Sequence, residues 1–507
     1  MIKNLNKSTV ERVERPVRIL QFGEGNFLRA FADWAIDIAN EKGVMNAGVA
    51  ICKPRPRKAG GAEQMLDVLQ RQDNMYHVYL EGIEHKQPKR DVRMVRSVMD
   101  SFNPYEEYEK YEQYILSPEL NLIISNTTEA GIRYEEEDDL EACPPISFPA
   151  KIAALLYRRY KHFGGDKSNG LVIICCELIE NNGSTLKEYV LRHARRCNLE
   201  QEFVDWVESS CSFCNSLVDR IVSGFPDDRI DEVKQEIGYD DNAVVVGELY
   251  HLWVIGGEGY ERAKELLPLD QAGLNVVFTP SVDSYRDKKV RILNGSHTGM
   301  VAMGLLMGCQ TVVDAFNNSD IETFVNRMVA YDVIPMISGE PQELKEFAAS
   351  ILERFYNPYI KHQLKSISLN SLSKWEARNY PSLLDNWIKL GRVAEYECMT
   401  FAALLAYYSP NSGFTPDDTP EHVAYIRENW DSENIEATVT NIVCNSGIFK
   451  ADFSEVTGFV PMVAGYLNYI EHNGMAATLK RFFGLNDLGL IINVVSDEEV
   501  LENKCRR

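Results

Sequence analysis

The feature that most restricts the fold of this chain is a short apolar segment followed by two closely spaced glycines and a helical pattern. The segment VRILQF at 17–22 is typical of a buried strand, Gly23 and Gly25 form a turn, and apolar residues then recur with helical spacing as far as Ile38. Such a turn needs glycines because its backbone bends sharply and approaches a pyrophosphate at the helix N-terminus. We therefore expect the first unit of a dinucleotide-binding fold, although Leu28 occupies the position of the usual third glycine.

A second apolar strand, GVAICKP at 48–54, follows at the distance expected of a β-α-β unit. An acidic residue at the end of this strand would bind the ribose 2′-hydroxyl of NAD. The chain instead has four basic residues there, Lys53, Arg55, Arg57 and Lys58. They favour tolerance of a 2′-phosphate, so NADP stays open beside NAD, and a solvated basic loop explains them equally well.

Further apolar segments predict the rest of an α/β domain. Alternation in YHVYLEG and apolar positions in VRMVRSVMD predict antiparallel strands inserted in the parallel pattern. Ligands gather at the carboxyl ends of parallel strands, so the polar residues after the strand NLIIS are expected to line a cofactor cleft. These residues are Asn126, Thr127, Thr128 and Glu129. The stretch FVDWVESSCSFCNSLVDRIVSGFP is interpreted as helical, with Asp219 and Arg220 either a buried or a solvated pair.

The net charge and the cysteines limit the classes of ligand and the cellular compartment that we expect for this chain. A net charge of −22 argues against nucleic acid and against a membrane surface, and an anionic substrate would need a local basic pocket. The sequence shows no signal-peptide pattern and no apolar run long enough to span a membrane, so a cytoplasmic protein with reduced thiols is expected. Cys211 and Cys214 form a lone C-x-x-C, for which we expect no metal.

The β-α alternation stops near Asp283, and the remaining chain reads as successive helices. The predicted fold class is therefore α/β, with a Rossmann-type domain at 1–283 that contains the inserted antiparallel strands. A mostly α-helical domain follows at 284–507.

The run KVRILNGSHTGM, just after this boundary, carries the strongest chemical signal. On an α-helix at about 100° per residue, Lys289, His297 and Asn294 fall within an arc of about 140°. A lysine base, an amide that holds an oxyanion and an imidazole that orients a hydroxyl would suit interconversion of an alcohol and a ketone. An ordinary amphipathic helix explains the same spacing. Downstream, a basic group surrounds a proline break, and it would suit a carboxylate if it faced a cleft. Its members are Arg354, Lys361 and His362.

Five stretches together resemble the long-chain mannitol dehydrogenase family. They are FGEGNFLRAF, TTEAG, NSLVDRIVSGFP, KVRILNGSHT and RFYNPYIKH, in the family's order, and the resemblance covers nearly the whole chain. It implies a metal-independent, nicotinamide-linked oxidoreductase that uses NAD. The residues it implies at the cofactor are Phe22, Gly23, Gly25, Asn26, Phe27, Arg29, Thr128 and Glu129.

The same resemblance implies the roles of the catalytic residues. Lys289 would be the general acid/base, Asn294 and Asn182 the oxyanion site, and His297 a substrate-positioning residue. The residues implied on the substrate side are Arg354, Lys361, His362 and Asp219, of which the basic ones are proposed for a substrate carboxylate.

Within the family, CELIENNG and NPYIKHQL point to a small-molecule hexuronate and its aldonate, D-tagaturonate and D-altronate. Fructuronate with mannonate, or a neutral hexitol such as mannitol, is the alternative. Mannitol-type members usually have aspartate and asparagine where this chain has Glu177 and Leu178. A regulator without turnover would be expected to lose the catalytic residues, a zinc enzyme would depend on the C-x-x-C, and no obligatory protein partner is implied.

Overall fold

The computed structural model describes residues 2–57, 63–84, 87–127, 131–360 and 362–487. The chain divides into two compact units, Met1–Gly82 with Pro88–Asp283, and Ile83–Gln87 with Ser284–Arg507. Parallel strands and helices build the first unit and helices build the second, which confirms the predicted fold class. Among the described residues, no helix combines the length and the apolar character needed to cross a membrane.

The main sheet of the first unit has eight described strands, numbered in chain order. They are β1 Val17–Phe22, β2 Gly48–Cys52, β3 Val98–Phe102, β4 Leu122–Ser125, β5 Val172–Cys175, β6 Ser212–Asp219, β7 Leu252–Gly256 and β8 Val276–Thr279. Their order is β8-β7-β6-β5-β4-β1-β2-β3, and every neighbouring pair is parallel except β6 with β7. The order 3-2-1-4-5-6 within this sheet is that of Rossmann-type domains.

Successive residues of the central strands enter different cores on the two faces of the sheet. Ile19 of β1 packs in one apolar cluster and Leu20 in the other. Strands covered on both faces are expected to be apolar, and β4 and β5 are so apart from the terminal Ser125. The helices of this unit are Asn26–Leu28, the π-helical Arg29–Asp33, Trp34–Glu41, Met65–Arg71, Tyr108–Ile115, Phe148–His162, the 3₁₀ turn Lys167–Asn169, Asn182–Arg196, Gln201–Ser210, Ile230–Ile237 and Tyr260–Leu266.

The strands predicted between Tyr76 and Val98 were only partly assigned correctly. Tyr76–Glu84 and Gln87–Val95 do belong to a separate four-stranded sheet, together with Val222–Gly224 and Val245–Glu248. Tyr76–Glu84, however, pairs parallel with Val245–Glu248, and β3 is a parallel strand of the main sheet. An alternating pattern has period two in either pairing, so it cannot reveal the direction of the partner strand. A two-stranded pair, Lys3–Asn4 with Tyr239–Asp240, completes the sheets of this unit.

The long stretch interpreted as helical is half helix and half strand. The helix ends at Ser210, and β6 then runs between β5 and β7 in the main sheet. Phe213, Cys214 and Val218 are buried, so the interior of the sheet selects the extended conformation for a segment that has no glycine or proline to mark the change. This correction places Asp219 at the end of a strand.

The second unit is built around the helix Glu395–Tyr408, every residue of which is buried. A helix surrounded by protein needs no polar face, and this one is largely apolar. The helices and turns described around it are Asp283–Lys288, Lys289–Asn294, Gly295–Leu306, Val312–Phe316, Ser319–Met328, Val329–Val333, Ile334–Met336, Pro341–Arg354, Leu364–Ile367, Ser371–Arg378, Tyr380–Leu390, Pro420–Glu428, Ile435–Thr440, Asn441–Asn445, Phe453–Glu455, Phe459–Asn473 and Met475–Asp487.

Candidate active site

The run from Lys289 to Met300 is helical, but its first part is a π-helix rather than the α-helix assumed from the sequence. Lys289–Asn294 has π geometry, and Gly295–Leu306 continues as α-helix. Hydrogen bonds of a π turn join residues five apart, whereas an α-helix would separate two such residues by about 140°. The π turn therefore brings Lys289 and Asn294 onto the same side of the helix.

Buried polar contacts hold the end of this π turn. Asn379 donates its amide to the carbonyl oxygen of Gly295 at 3.2 Å and to the Glu397 carboxyl at 2.9 Å. Burial, and then the nearby Asp332, raise the pKa of Glu397 to about 8. Arg291, within the turn, pairs with Asp385 at 2.6 Å. A π turn is rare and strained relative to an α turn, so these contacts are what keep it in place.

The two asparagines predicted for the oxyanion site differ in whether their side-chain amides already have hydrogen-bond partners. Asn294 is half-buried, and its side chain has no hydrogen-bond partner among the described residues. Asn182 is buried in the first unit, where its amide donates to the carbonyl oxygens of Cys175, Glu177 and Ser216. The Asn182 amide has two N–H bonds, so none remains for a substrate oxygen in this structure. The structure gives Asn182 the role of tying β5 to β6.

His297 is buried between aromatic rings in the second unit. Its imidazole stacks on Phe355 with ring centres 4.3 Å apart and meets the ring of His362 edge-on at 5.2 Å. Burial is the main cause that lowers the pKa of His297, and the nearby His362, Arg354 and Arg378 lower it further. A neutral imidazole can both donate and accept a hydrogen bond, as the orientation of a hydroxyl requires.

Two of the three basic residues predicted near the substrate, Arg354 and His362, lie near His297. Arg354 ends the helix Pro341–Arg354, and burial together with the charge of Arg354 lowers the pKa of His362. Lys361 lies outside the described residues. A further cation that the sequence reasoning missed, Arg378, donates to the Thr298 hydroxyl at 3.1 Å. Nothing in the local pattern around Arg378 distinguishes it from an exposed helical arginine.

The glycine turn of the first unit has the geometry expected of a cofactor loop. Gly23 has φ +131°, and a Cβ there would lie 3.0 Å from the Asn126 carbonyl oxygen, so only glycine fits. A Cβ on Gly25 would meet nothing within 4 Å, and Gly25 and Asn26 are exposed beside half-buried Phe27. The loop therefore leaves open space at the N-terminus of the continuous helix that follows it, where a pyrophosphate would fit.

Two side chains predicted at the cofactor instead support this loop from inside. Phe22 is in the core, with its ring 5.2 Å from that of Phe148. Arg29 is fully buried and donates to the Glu24 carbonyl, the Asn26 side chain and the Ala243 carbonyl. Both side chains are thus occupied within the protein in this structure. Thr128 and Glu129, which were predicted at the same cleft, lie outside the described residues.

The basic loop after β2 is largely paired with acidic residues. Lys53 lies 3.4 Å from the Glu24 carboxylate of the glycine turn and also bonds Gln64. Arg57 binds the Asp67 carboxylate with two hydrogen bonds of 2.8 Å and Glu106 at 2.9 Å. The Arg57 hydrogen bonds, and then the Gln64 backbone, lower the pKa of Asp67 to about 2. Lys58 lies outside the described residues.

The remaining predicted residues are buried in the first unit. Asp219 and Arg220 are both buried, and Arg220 donates to the carbonyl oxygens of Ala30, Leu249 and Tyr250. Burial raises the pKa of the Cys211 thiol to about 11 and that of Cys214 to about 12.

The chain is similar to known proteins over most of its length. The mannitol dehydrogenase Rossmann domain matches residues 17–267, and the mannitol dehydrogenase C-terminal domain matches residues 281–471. The altronate oxidoreductase of Bacillus subtilis (strain 168) is 40% identical over 95% of this chain and 98% of its own length. That of Bacteroides thetaiotaomicron is 38% identical over 94% of this chain and 99% of its own length.

Two solved structures share the fold at lower identity. A substrate-free D-sorbitol dehydrogenase superposes with a TM-score of 0.77 at 20% identity, covering 94% of this chain and all of its own. A mannitol 2-dehydrogenase of Pseudomonas fluorescens, in a ternary complex with NAD and D-mannitol, superposes with a TM-score of 0.66 at 23% identity, covering 93% and 95%. The chain is thus a dehydrogenase acting on CH–OH groups, and it belongs to the mannitol dehydrogenase family.

Proposed function

We propose that the chain is an NAD-linked oxidoreductase that interconverts D-tagaturonate and D-altronate. The observation that carries this proposal is the pair of cations, Arg354 and Arg378, that lies near His297 in a chain of net charge −22. An anionic ligand is repelled by the net negative charge of the protein, so its binding site needs a local group of cations. The similarity to altronate oxidoreductases supports the same sugar acids.

The proposed reaction uses three side chains of the second unit. In oxidation, an unprotonated Lys289 takes the proton of the substrate hydroxyl, and in reduction the ammonium returns a proton to the new alkoxide oxygen. Asn294 donates its amide to the oxygen on which negative charge develops, and neutral His297 orients the neighbouring hydroxyl. A bound nicotinamide dinucleotide supplies or accepts the hydride.

Asn182 contributes indirectly in this proposal. Its amide and the Glu177 carboxylate, which accepts from Ser125 and Thr127, fix the carboxyl ends of the central strands. Those strand ends are where ligands bind in Rossmann-type sheets. The oxyanion contact is therefore assigned to Asn294, while Asn182 positions the strand ends.

A substrate panel tests the proposed activity. Reduction of tagaturonate, fructuronate and fructose is measured with NADH in parallel assays. We expect kcat/KM for tagaturonate to exceed that for fructose by at least about 10²-fold, because a buried cation without its carboxylate partner costs several kcal/mol. Efficient reduction of fructose without activity on tagaturonate would show a polyol dehydrogenase instead.

The proposal of NAD rests on the paired basic loop. A 2′-phosphate carries about two negative charges and needs cations that are available to it. Lys53 and Arg57 are engaged by Glu24, Asp67 and Glu106, so these carboxylates offset the charge that suggested NADP from sequence. The acidic character that NAD-selective enzymes place at the end of the second strand is supplied here by residues distant in sequence.

Removing those carboxylate charges should shift cofactor preference. For the double variant Asp67→Asn with Glu106→Gln, we expect the ratio of kcat/KM with NADPH to that with NADH to rise about tenfold, since Arg57 becomes available to a phosphate at roughly the energy of one charged hydrogen bond. Adenosine 2′,5′-bisphosphate should bind correspondingly tighter by calorimetry.

A matched control is Glu63→Gln, which neutralises a nearby carboxylate that pairs with Arg71. This variant should leave the cofactor ratio unchanged. An unchanged ratio in the double variant as well would show that Arg57 does not face the ribose.

A further inference from the structure

The arginine at the end of the helix Ser371–Arg378 lies directly against the catalytic helix. Arg378 donates through Nη1 to the Thr298 hydroxyl at 3.1 Å, and the next residue, Asn379, donates to the Gly295 carbonyl oxygen at 3.2 Å. These two contacts bind the helix Gly295–Leu306 at Gly295, before His297, and at Thr298, after it. The Arg378 guanidinium is thus held near His297 by its bond to Thr298 and by the bond that the adjacent Asn379 makes to Gly295.

Arg378 is half-buried and has no acidic partner among the described residues. Arg291 pairs with Asp287 and Asp385, and Arg392 pairs with Asp332. The only hydrogen bond of Arg378 in that part of the chain goes to the neutral Thr298 hydroxyl. Burial lowers the pKa of Arg378, which reflects the cost of keeping this charge away from water.

The charged groups around Arg378 include one further cation near the His297 ring. That cation is Arg354, whereas the neighbouring His362 is held toward its neutral form, because burial and the charge of Arg354 lower its pKa. Lys374, one turn earlier on the helix of Arg378, is instead bound to the Ile367 carbonyl oxygen. Asp418 is the acidic group that acts on Lys374, where it opposes the lowering of the pKa by burial and by Arg378. Like charges so arranged repel one another until an anion joins them.

The chemistry that fits this arrangement is a carboxylate. A guanidinium has five N–H donors, and with Nη1 on Thr298 the Nη2 and Nε side remains for two parallel bonds to a carboxylate. From the tagaturonate carboxylate to its keto carbon there are four C–C bonds of about 1.5 Å, so about 5 Å in extended form. Along the helix, Asn294 and Thr298 are four residues and about 6 Å apart. A sugar acid whose keto oxygen meets Asn294 can therefore place its carboxylate beside Thr298.

We infer that Arg378 is the carboxylate-binding, specificity-determining residue of this enzyme, held by Thr298 and Asn379 beside the catalytic helix. This inference rests on the proposed function, since it names the residue that would select a hexuronate over a neutral ketose. It also distinguishes Arg378 from the basic segment at 354–362, which the sequence had suggested for the carboxylate.

The test compares Arg378→Met and Arg378→Lys with the wild type. We expect Arg378→Met to raise KM for tagaturonate about 10²-fold with kcat within about threefold, because a charged bidentate contact is lost while the reacting groups stay. Arg378→Lys keeps the positive charge but loses the bidentate geometry of the guanidinium, so its KM for tagaturonate should lie between those of the wild type and Arg378→Met. Added guanidinium ion should restore part of the Arg378→Met activity, which it would not do for a purely structural defect.

Binding measurements separate this inference from the proposed function. Calorimetry of D-altronate and of neutral D-altritol is carried out on the NADH-saturated wild type and on NADH-saturated Arg378→Met, since altronate cannot react with the reduced cofactor. Altronate that binds the wild type and Arg378→Met equally would overturn the role of Arg378 alone, and altronate that fails to bind the wild type would overturn both claims. A weakened Kd for NADH with unchanged altronate binding would show that the anion is a cofactor phosphate and would also overturn it.

Lys374→Met serves as the matched control. It removes a cation one turn away on the same helix, whose ammonium donates to the Ile367 carbonyl oxygen. We expect its KM for tagaturonate to stay within about threefold of wild type, since this lysine is bound to a backbone oxygen. If Lys374→Met raised KM as much as Arg378→Met does, the effect would come from the overall positive charge of this region, and a specific contact between Arg378 and the carboxylate would be contradicted.

Discussion

Replacing Lys289 with alanine is expected to lower kcat by about 10²- to 10⁴-fold, the usual cost of removing a general acid or base. The reason is that no other proton-transfer group shares the π turn with Asn294. KM for the sugar acid should change little, because the lysine transfers a proton in the transition state and contributes little to binding the substrate in the ground state. Steady-state assays with tagaturonate and NADH measure kcat, and fluorescence titration with NADH checks that the cofactor still binds.

The neighbouring Lys288 provides the control for this experiment. Lys288 is the last residue of the preceding helix, and its ammonium lies 5.2 Å from the centre of the Tyr285 ring. Lys288→Ala removes the same charge one residue away and should retain near wild-type kcat. Small primary amines should partly restore Lys289→Ala, as a diffusible base replaces the missing one. Retention of more than about a tenth of wild-type kcat by Lys289→Ala would refute its role as the acid/base.

The sequence predicted the elements of the first unit better than their pairing. Buried strands such as β4 and β5 can be recognised from their continuous apolar residues, since both of their faces are covered. The direction of pairing depends on a partner far away in sequence, which explains why β3 was assigned to the wrong sheet. For β6 the local residues fit either a helix or a strand, and only the neighbouring β5 and β7 decide.

The candidate site shows the same division between local and distant information. Lys289, Asn294 and His297 could be found together because one short segment carries all three. Arg378 comes from a helix much further along the chain, and the lack of an acidic partner among the described residues can be recognised only from the tertiary structure. The pairing of Arg57 with Asp67 and Glu106 is another contact between separate segments, which the basic loop alone could not reveal.

The π turn could not have been predicted from the spacing either. Periodicity at about 100° per residue presumes an α-helix, and the extra residue of a π turn leaves no mark in an apolar pattern this short. The contact from Asn379 to the Gly295 carbonyl oxygen is made by the tertiary fold. The functional consequence, Lys289 and Asn294 on the same side, therefore depends on packing in the second unit rather than on local preference.

Asp332 is the other position where a single substitution should have a large effect, this time on stability. Asp332→Ala is expected to lower the free energy of unfolding of the second unit by about 3 kcal/mol or more, as removing one partner of a buried ion pair does. The carboxylate is fully buried, lies 2.9 Å from Arg392 and accepts from the backbone N–H groups of Tyr396 and Glu397. Hydrogen exchange of the helix Glu395–Tyr408 measures the loss where it occurs.

The control is Glu346→Ala, an exposed carboxylate of the same unit that accepts from Gln342 one turn away. Its effect should stay within about 0.5 kcal/mol, as for most surface substitutions. Equal effects of the two variants would show that the buried pair contributes nothing to stability.

The pH dependence of the Asp332→Ala effect follows from the carboxyls next to it. Burial, and then Asp332, raise the pKa of Glu395 and of Glu397 from 4.5 to about 8. Between those values the folded state holds protons that the unfolded state has released, so wild-type stability is lost as pH rises through about 8. Without Asp332 the pKa values of Glu395 and Glu397 fall, so the variant loses less unfolding free energy than the wild type as pH rises over the same range. The difference in unfolding free energy between wild type and variant should therefore shrink as pH rises from mildly acidic to mildly alkaline, and a difference that grew would contradict the coupling of these three acids.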